Sequence, residues 1–461
     1  MRNLRPKTLR QALTLAGVPD TSVIGSTGKS IPLRRTLAGT CLGQAWKSLA
    51  GKSVLVATIS QLEAAVALID LDGLARRIVL LPPDIKAEAL PSIIRDAEVD
   101  AIVCSDSSAY AELAVEQIHR CGADLEGVAP VPHPVLATEW LMLTSGTTGD
   151  PKLAIHTLAG LSGAIPPHDP LAPRPVWATF YDIRRYGGLQ IFLRAMFSGA
   201  TLVLSQADEP VAGYLARLRS FGVTHVSGTP THWRRALMSA GRESFRPSYV
   251  RLSGEIADQA ILDALKSAFP AASINHAYAS TEAGVGFDVS DGAEGFPDSF
   301  LDAPRNGVEM RIVDGSLRIR SNRMASGYAG RADLELIGAD GFVDTGDMIE
   351  VTAGRCRFAG RRGGIINVGG LKVHPEEIET VINCHAAVRQ SRVKPRKSPI
   401  LGSVVVADVV LNGHADNLDV LKQDILAHCR RMLPNHKIPA LLNVVYAIEM
   451  TPGGKVSRHY A

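Results

Sequence analysis

Between Ser53 and Ala277, short continuous apolar runs alternate with helix-length stretches. Val54–Ala57, Ile78–Leu81, Ala101–Val103, Trp140–Leu143, Val176–Phe180, Thr201–Leu204, Val223–Val226, Val250–Leu252 and Ser273–Ala277 read as strands. Leu62–Leu71, Leu189–Phe197, Val211–Leu218, His232–Met238 and Gln259–Phe269 read as helices. A strand that is apolar at successive positions must bury both of its faces. Alternation with helices supplies the cover, so the pattern predicts a parallel sheet wrapped on both sides: one large doubly wound α/β unit. In such a unit ligands bind beyond the carboxyl ends of the strands.

The character changes after about residue 300. Leu317–Arg320 and Phe342–Val351 read as strands, and Gly360-Arg361-Arg362-Gly363-Gly364 as a flexible basic link. A small α+β segment follows. Pro375-Glu376-Glu377 suits the first turn of a helix, where proline has no N–H to leave unpaired and acids face the dipole. Gly402–Leu411 reads as a strand, and Leu418–Met432 as a helix that ends before Pro434. The expected division is a unit over 1–360, a hinge over 361–364 and a small domain over 365–461.

Composition removes several classes of function. With 49 basic and 46 acidic residues the net charge is +3, which points to neither nucleic acid nor a polybasic membrane anchor. The six cysteines are scattered without a C-x-x-C pair, as expected of reduced thiols in a cytoplasmic protein. No apolar run nears the ~18 residues that span a bilayer, and no signal peptide is visible. Residues 1–50 are weakly patterned. Gly25-Ser26-Thr27-Gly28-Lys29-Ser30 imitates a Walker A loop, but Val23 stands where a glycine is required, so it reads as a polar loop.

Several stretches carry chemistry. Thr144-Ser145-Gly146-Thr147-Thr148-Gly149-Asp150-Pro151-Lys152 follows a buried strand. Its glycines admit an anion close to the backbone, its hydroxyls donate to phosphate oxygens, and Lys152 adds a point charge. A plain Ser/Thr/Gly turn is the alternative. In Tyr278-Ala279-Ser280-Thr281-Glu282 the ring can stack on a purine, the threonine can donate to phosphate, and the glutamate is a hard ligand for Mg²⁺. The alternative is a helix start capped by Ser280 or Thr281. Asp347, in Asp344-Thr345-Gly346-Asp347, can accept from ribose hydroxyls, or can sit on a surface turn. Lys455, in Thr451-Pro452-Gly453-Gly454-Lys455, would by position alone face solvent.

In this order these stretches resemble the motifs of the adenylate-forming superfamily, of the acyl- and aryl-CoA synthetase type. Gly360-Arg361, Gly370-Leu371-Lys372-Val373-His374-Pro375 and Glu377-Ile378-Glu379 extend the resemblance, which spans Thr144 to Arg458. Two positions depart from the family pattern: Ala279 replaces a glycine, and Gly363 falls where the family usually has an acidic or lysine pivot.

The resemblance implies ATP, Mg²⁺ and CoA as cofactors, a small-molecule carboxylic acid as substrate, and a mobile C-terminal domain. Residues 144–152 would hold the β- and γ-phosphates, Thr281 would contact phosphate and Glu282 would hold Mg²⁺. Tyr278, Asp347 and Arg361 would serve the nucleoside. Lys455 would stabilise charge between carboxylate and α-phosphate. After the domain turns, Gly369 and Gly370 would line a channel for a pantetheine arm. The acyl pocket is expected from residues near 177–188, 228–233, 253–256 and 284–287, with Tyr181, Arg184, Trp233, Gly254 and Gly284 as its named members. Arg184 has two readings, the carboxylate end of the acid or an ion pair with Asp182. Arg389, Arg392, Lys394, Arg396 and Lys397 read as a solvated loop or as contacts for CoA phosphates. Two other functions remain open on sequence: loading of a carrier protein or amine, and a non-catalytic nucleotide-binding regulator.

Overall fold

The computed structural model describes residues 6–18, 20–127, 135–144, 151–167, 169, 171–206, 208–368, 371–398, 402–414, 417–451 and 453–457. The apolar strands form two sheets rather than one. One has eight strands, in the order Gly284–Val289, Ser273–Ser280, Tyr249–Ser253, His225–Gly228, Val176–Thr179, Thr201–Val203, Ser22–Ile24, Ser30–Pro32. All neighbours in it are parallel except at its two antiparallel edges. The other has six strands, in the order Lys152–Thr157, Glu139–Thr144, Arg77–Leu80, Ser53–Ala57, Ala101–Cys104, Gln117–Arg120, parallel except for Lys152–Thr157.

The division follows from where the helices lie. The Gln61–Leu71 helix buries nearly every residue, including Leu62, Val66, Leu68 and Ile69. It shares one core with Leu189, Phe192 and Met196 of the Tyr186–Ser198 helix and with strand residues Val54, Val56 and Leu202. A helix apolar all round has to be sandwiched, and these two sit between the sheets. The Val211–Ser220, Pro230–Leu237 and Gln259–Ala268 helices pack a second core with Val226, Val250 and Leu252. The Leu90–Asp96 helix contributes Leu90 and Ile93 to a core with Leu55, Val79 and Ile102 of the six-stranded sheet. The unit is therefore doubly wound twice over. The weakly patterned start is built into it: Leu9 and Leu13 of the Leu9–Ala16 helix are fully buried.

A five-stranded antiparallel sheet follows, in the order Phe296–Pro297, Arg355–Arg361, Val343–Thr352, Ser316–Ser321, Val308–Val313. Its core of Phe287, Phe296, Phe300, Leu317, Ile319 and Val343 joins it to the edge of the eight-stranded sheet. The C-terminal region has its own core. Ile378 and Ile382 of the Pro375–Asn383 helix pack with Ile425 and Cys429 of the Leu418–Met432 helix and with a three-stranded sheet of Val388–Ser398, Gly402–Leu411 and Leu441–Val444. The basic stretch read as a loop is the Val388–Ser398 strand. Asp408 across the sheet pairs with Arg392 at 2.9 Å and Lys394 at 2.7 Å. Between the regions, Arg362–Gly364 forms a short turn, and a Cβ added at Gly363 would meet nothing within 4 Å. Among the described residues no helix is long and apolar enough to cross a membrane.

Candidate active site

The loops at the carboxyl ends of the strands converge. Strand Glu139–Thr144 ends at Thr144, and Lys152 opens the antiparallel return strand directly opposite it. Lys152 Nζ lies 5.3 Å from the centroid of the Tyr328 ring. Ser145, Gly146, Thr147, Thr148 and Gly149 fall outside the described residues, as do Gly369 and Gly370.

Tyr278–Glu282 does not start a helix. Thr281 and Glu282 occupy the turn of a bulged hairpin between Ser273–Ser280 and Gly284–Val289. The turn is held by backbone groups. Ser280 Oγ accepts from Ala283 N at 3.0 Å, Ala325 N donates to Glu282 O at 2.9 Å, and His156 Nε2 is 2.7 Å from Thr281 O. A carbonyl can only accept, so Nε2 carries the proton, and burial pushes the His156 pKa down to about 4. These bonds leave the Thr281 and Glu282 side chains without hydrogen-bond partners among the described residues. Glu282 is half-buried. A carboxylate so placed is a fitting hard-oxygen ligand for Mg²⁺. Among the described residues no group of three His, Cys, Asp or Glu stands ready to complete a metal shell, so further ligands would have to include oxygens such as those of phosphates and water.

Tyr278, Asp347 and Arg361, the residues expected to serve a nucleoside, meet across two sheets. Asp347 and Arg361 are paired on neighbouring strands, with Arg361 Nε donating to Asp347 Oδ1 at 2.9 Å. The Tyr278 hydroxyl donates to the other oxygen at 2.6 Å. The Tyr278 ring lies parallel to Phe358, with centroids 5.4 Å apart, and to Phe287 at 5.6 Å. Burial, and then the Asp347 charge, push the phenol pKa well above its ordinary value. Asp347 in turn raises the Arg361 guanidinium. Asp344 is engaged elsewhere, accepting from Ser316 Oγ at 2.6 Å and Arg362 at 3.1 Å.

The lysine turn of the C-terminal domain is docked onto the large domain. Thr229 Oγ1 donates to Gly454 O at 2.8 Å. Glu255 accepts from Val456 N at 2.9 Å through one oxygen and from Thr231 N at 3.0 Å through the other. A Cβ at Gly454 would fall 1.9 Å from His232 Cε1, and φ there is +73°, so only glycine fits. Lys455 lies along Gly254, where an added Cβ would be 3.3 Å from its Cε. The residue keeps solvent access. Desolvation by the cleft walls lowers its ammonium pKa; Glu255 and Asp347 act to raise it, and Arg361 and Arg185 to lower it. The lysine is thus drawn from an exposed turn into a cleft with Glu255, Asp347 and Arg361.

The expected acyl residues divide. Tyr181 is buried at the cleft wall, its hydroxyl donating to Ser253 O at 2.6 Å and its ring edge-on to His232 at 5.7 Å. Gly254 is at the lysine, as described. Three others are corrected. Arg184 is 2% exposed. It is clamped to Asp182 through Nε at 2.8 Å and Nη2 at 2.5 Å, with Nη1 on the Thr58 carbonyl, so the ion-pair reading holds. Trp233 is fully buried in the helix–sheet core between Phe180 and Phe269, with Nε1 3.4 Å from Arg251 O. It packs the fold because its helix presents His232, not Trp233, to the cleft. Gly284 is a packing glycine: an added Cβ would lie 2.3 Å from Arg323 O.

Thr229, Glu255 and Arg185 lie in the stretches expected to build the acyl pocket, but the sequence did not single them out. Thr229 had a signal, since Thr-Pro is a cap followed by a first-turn proline, and Thr229 caps the Pro230–Leu237 helix. Glu255 had none beyond adjacency to Gly254. Arg185, ion-paired with Asp84, lies beside the lysine turn; an added Cβ at Gly453 would be 3.9 Å from its Cδ.

Comparison with known proteins gives the family and the fold. The AMP-binding enzyme family model matches residues 50–329, and its C-terminal domain model matches residues 377–455. A 2-succinylbenzoate–CoA ligase of Salmonella typhimurium is 29% identical over 381 residues, covering 80% of this chain and 79% of that protein. Among solved structures, an anthranilate CoA ligase in complex with anthranoyl-AMP superposes with a TM-score of 0.79 at 19% identity, covering 97% of this chain and 95% of that one. MenE of E. coli with bound OSB-AMS gives a TM-score of 0.76 at 20% identity, covering 96% of each chain. With both family models matched in order, the chain belongs to the AMP-binding enzyme family and is an adenylate-forming acid–thiol ligase.

Proposed function

We propose that the enzyme activates an aromatic carboxylic acid as its acyl-adenylate and passes the acyl group to CoA, releasing AMP and pyrophosphate. The observation that carries this reading is the seating of Lys455 along Gly254, in the field of Glu255, Asp347 and Arg361. A carboxylate attacking the α-phosphorus builds negative charge between two oxygens, and a fixed ammonium at that point stabilises it. Glu282 would hold Mg²⁺ on the phosphates, with Thr281, Lys152 and the 144–149 loop on the phosphate oxygens. Asp347 and Arg361 would take the ribose side, and Tyr278 would border the base. ATP and CoA fit the family; Mg²⁺ rests on the free Glu282 carboxylate. An aromatic acid is favoured by the wall offered to it. Phe180 stacks on His232 at 5.2 Å and Tyr181 meets the same imidazole edge-on, next to Gly254. The ligase relatives named for 2-succinylbenzoate and anthranilate lean the same way.

We further take residues 1–360 as the adenylation core, 361–364 as the hinge and 365–461 as the moving domain. The unobstructed Gly363 supports a pivot there. The deciding experiment is pyrophosphate release with ATP, Mg²⁺ and a panel of benzoates, 2-succinylbenzoate, anthranilate, malonate and aliphatic acids, with and without CoA, products being identified by mass. Release dependent on an aromatic acid, with its CoA thioester, is expected. Acyl-AMP without a thioester would move the acceptor to a carrier protein or amine. ATP binding with no release for any acid would favour the regulator.

A further inference from the structure

Glu255 has a bonding pattern that the nucleotide motifs do not account for. Its two carboxylate oxygens are divided between domains. One accepts from Thr231 N in the first turn of the Pro230–Leu237 helix, the other from Val456 N, the residue after the lysine. It has no ion-pair partner among the described residues, although its charge reaches Lys455 and Tyr181. A carboxylate accepting backbone N–H groups from both sides of a domain boundary is a directional tie, stronger than a neutral hydrogen bond. The contact on Val456 requires the C-terminal domain to lie as it does here.

Resting on the adenylation reading above, we infer that Glu255 is the positioning residue that docks the Lys455 turn for acyl-adenylate formation. The inference follows from geometry. The tie is made to the amide next to Lys455, and Thr229 holds the carbonyl of Gly454 on its other side. Docked this way the turn cannot slide along the cleft, so the ammonium is held in place when charge develops. The tie is specific to one half-reaction, since any arrangement that withdraws Lys455 must break it.

The test compares wild type with Glu255→Ala and Glu255→Asp, using the full chain. Amide hydrogen exchange over residues 451–457, with ATP and Mg²⁺ present, reads docking without needing a known acid. Exchange there should quicken about 10-fold or more in Glu255→Ala while the thermal midpoint stays near wild type. With whichever acid wild type adenylates fastest, acid-dependent ATP–pyrophosphate exchange should fall about 10- to 100-fold. Thioester formation from the matching acyl-AMP, supplied preformed, should fall much less. Glu255→Asp keeps the carboxylate on a shorter arm and should restore the exchange protection only in part. Unchanged exchange over 451–457 overturns the inference. So does an equal loss in both half-reactions, which would mark a purely structural residue. If wild type adenylates no acid while Glu255→Ala still frees the segment, the docking role stands and the ligase reading fails.

Discussion

The Thr229 hydroxyl donates to the Gly454 carbonyl oxygen at 2.8 Å, joining the cap of a helix in the large domain to the turn that carries the lysine. The cap residue therefore serves both domains. It receives His232 N at 3.0 Å as an ordinary helix cap, and its proton holds the turn.

Gly454→Ala is the sharpest probe of this docking. The added methyl would overlap the His232 ring at 1.9 Å and would force a positive φ on alanine. Adenylation should drop by at least ~10-fold, because a small misplacement of the lysine removes its effect on the barrier. Because the turn lies at the surface of its own domain, the thermal midpoint should stay close to wild type. Pyrophosphate exchange and calorimetry check both parts.

Asp347→Asn removes the charge that Arg361 and Tyr278 share. Charge-assisted bonds contribute ~1.5–3 kcal/mol each, so a loss of about 10- to 100-fold in apparent ATP affinity is expected. Equilibrium ATP binding measures it directly. An unchanged affinity would remove Asp347 from the nucleotide site.

Arg184 and Arg185 are neighbours with opposite expected phenotypes. Arg184→Ala strands the largely buried Asp182 and frees the Thr58 carbonyl. Breaking a buried pair typically costs ~3–5 kcal/mol, so a clear fall in melting temperature is expected with the acid preference unchanged. Arg185→Ala, a partly exposed side chain beside the lysine turn, should alter the acid preference or adenylation rate at a smaller stability cost. Denaturant titration and the acid panel on both variants separate the two.

Acid should weaken the fold through two buried histidines. Desolvation holds His156 down to about 4 and His232 down to about 3. In the unfolded chain each binds a proton near the ordinary histidine pKa of ~6.5. Between these values the unfolded state holds more protons, so stability is full above about pH 6.5 and declines as pH falls toward 4. For His232 a proton on Nδ1 would also displace the Thr229 N–H, now 3.1 Å away. Urea unfolding at pH 7 and pH 5 should show the loss, and His156→Gln should reduce it.

The sequence by itself determined the fold class and the order of the motifs. These are local properties. A strand such as Val54–Ala57, apolar throughout, needs cover on both faces wherever it lies. Thr144, Thr281, Asp347 and Lys455 could be named as candidates because small, polar and glycine residues at loop positions leave a mark in one dimension. Tertiary structure decided how the strands were shared between two sheets, because Gln61–Leu71 is buried all round and its period does not say which sheet lies on each side. It also decided the fate of Arg184 and Trp233. Both sit in stretches that border the cleft, and a turn of one residue on a helix or loop separates Arg184 from Arg185 and Trp233 from His232. Glu255 was not singled out for the same reason. Its partners, Thr231 and Val456, are backbone amides, which every sequence supplies and only the folded chain brings together.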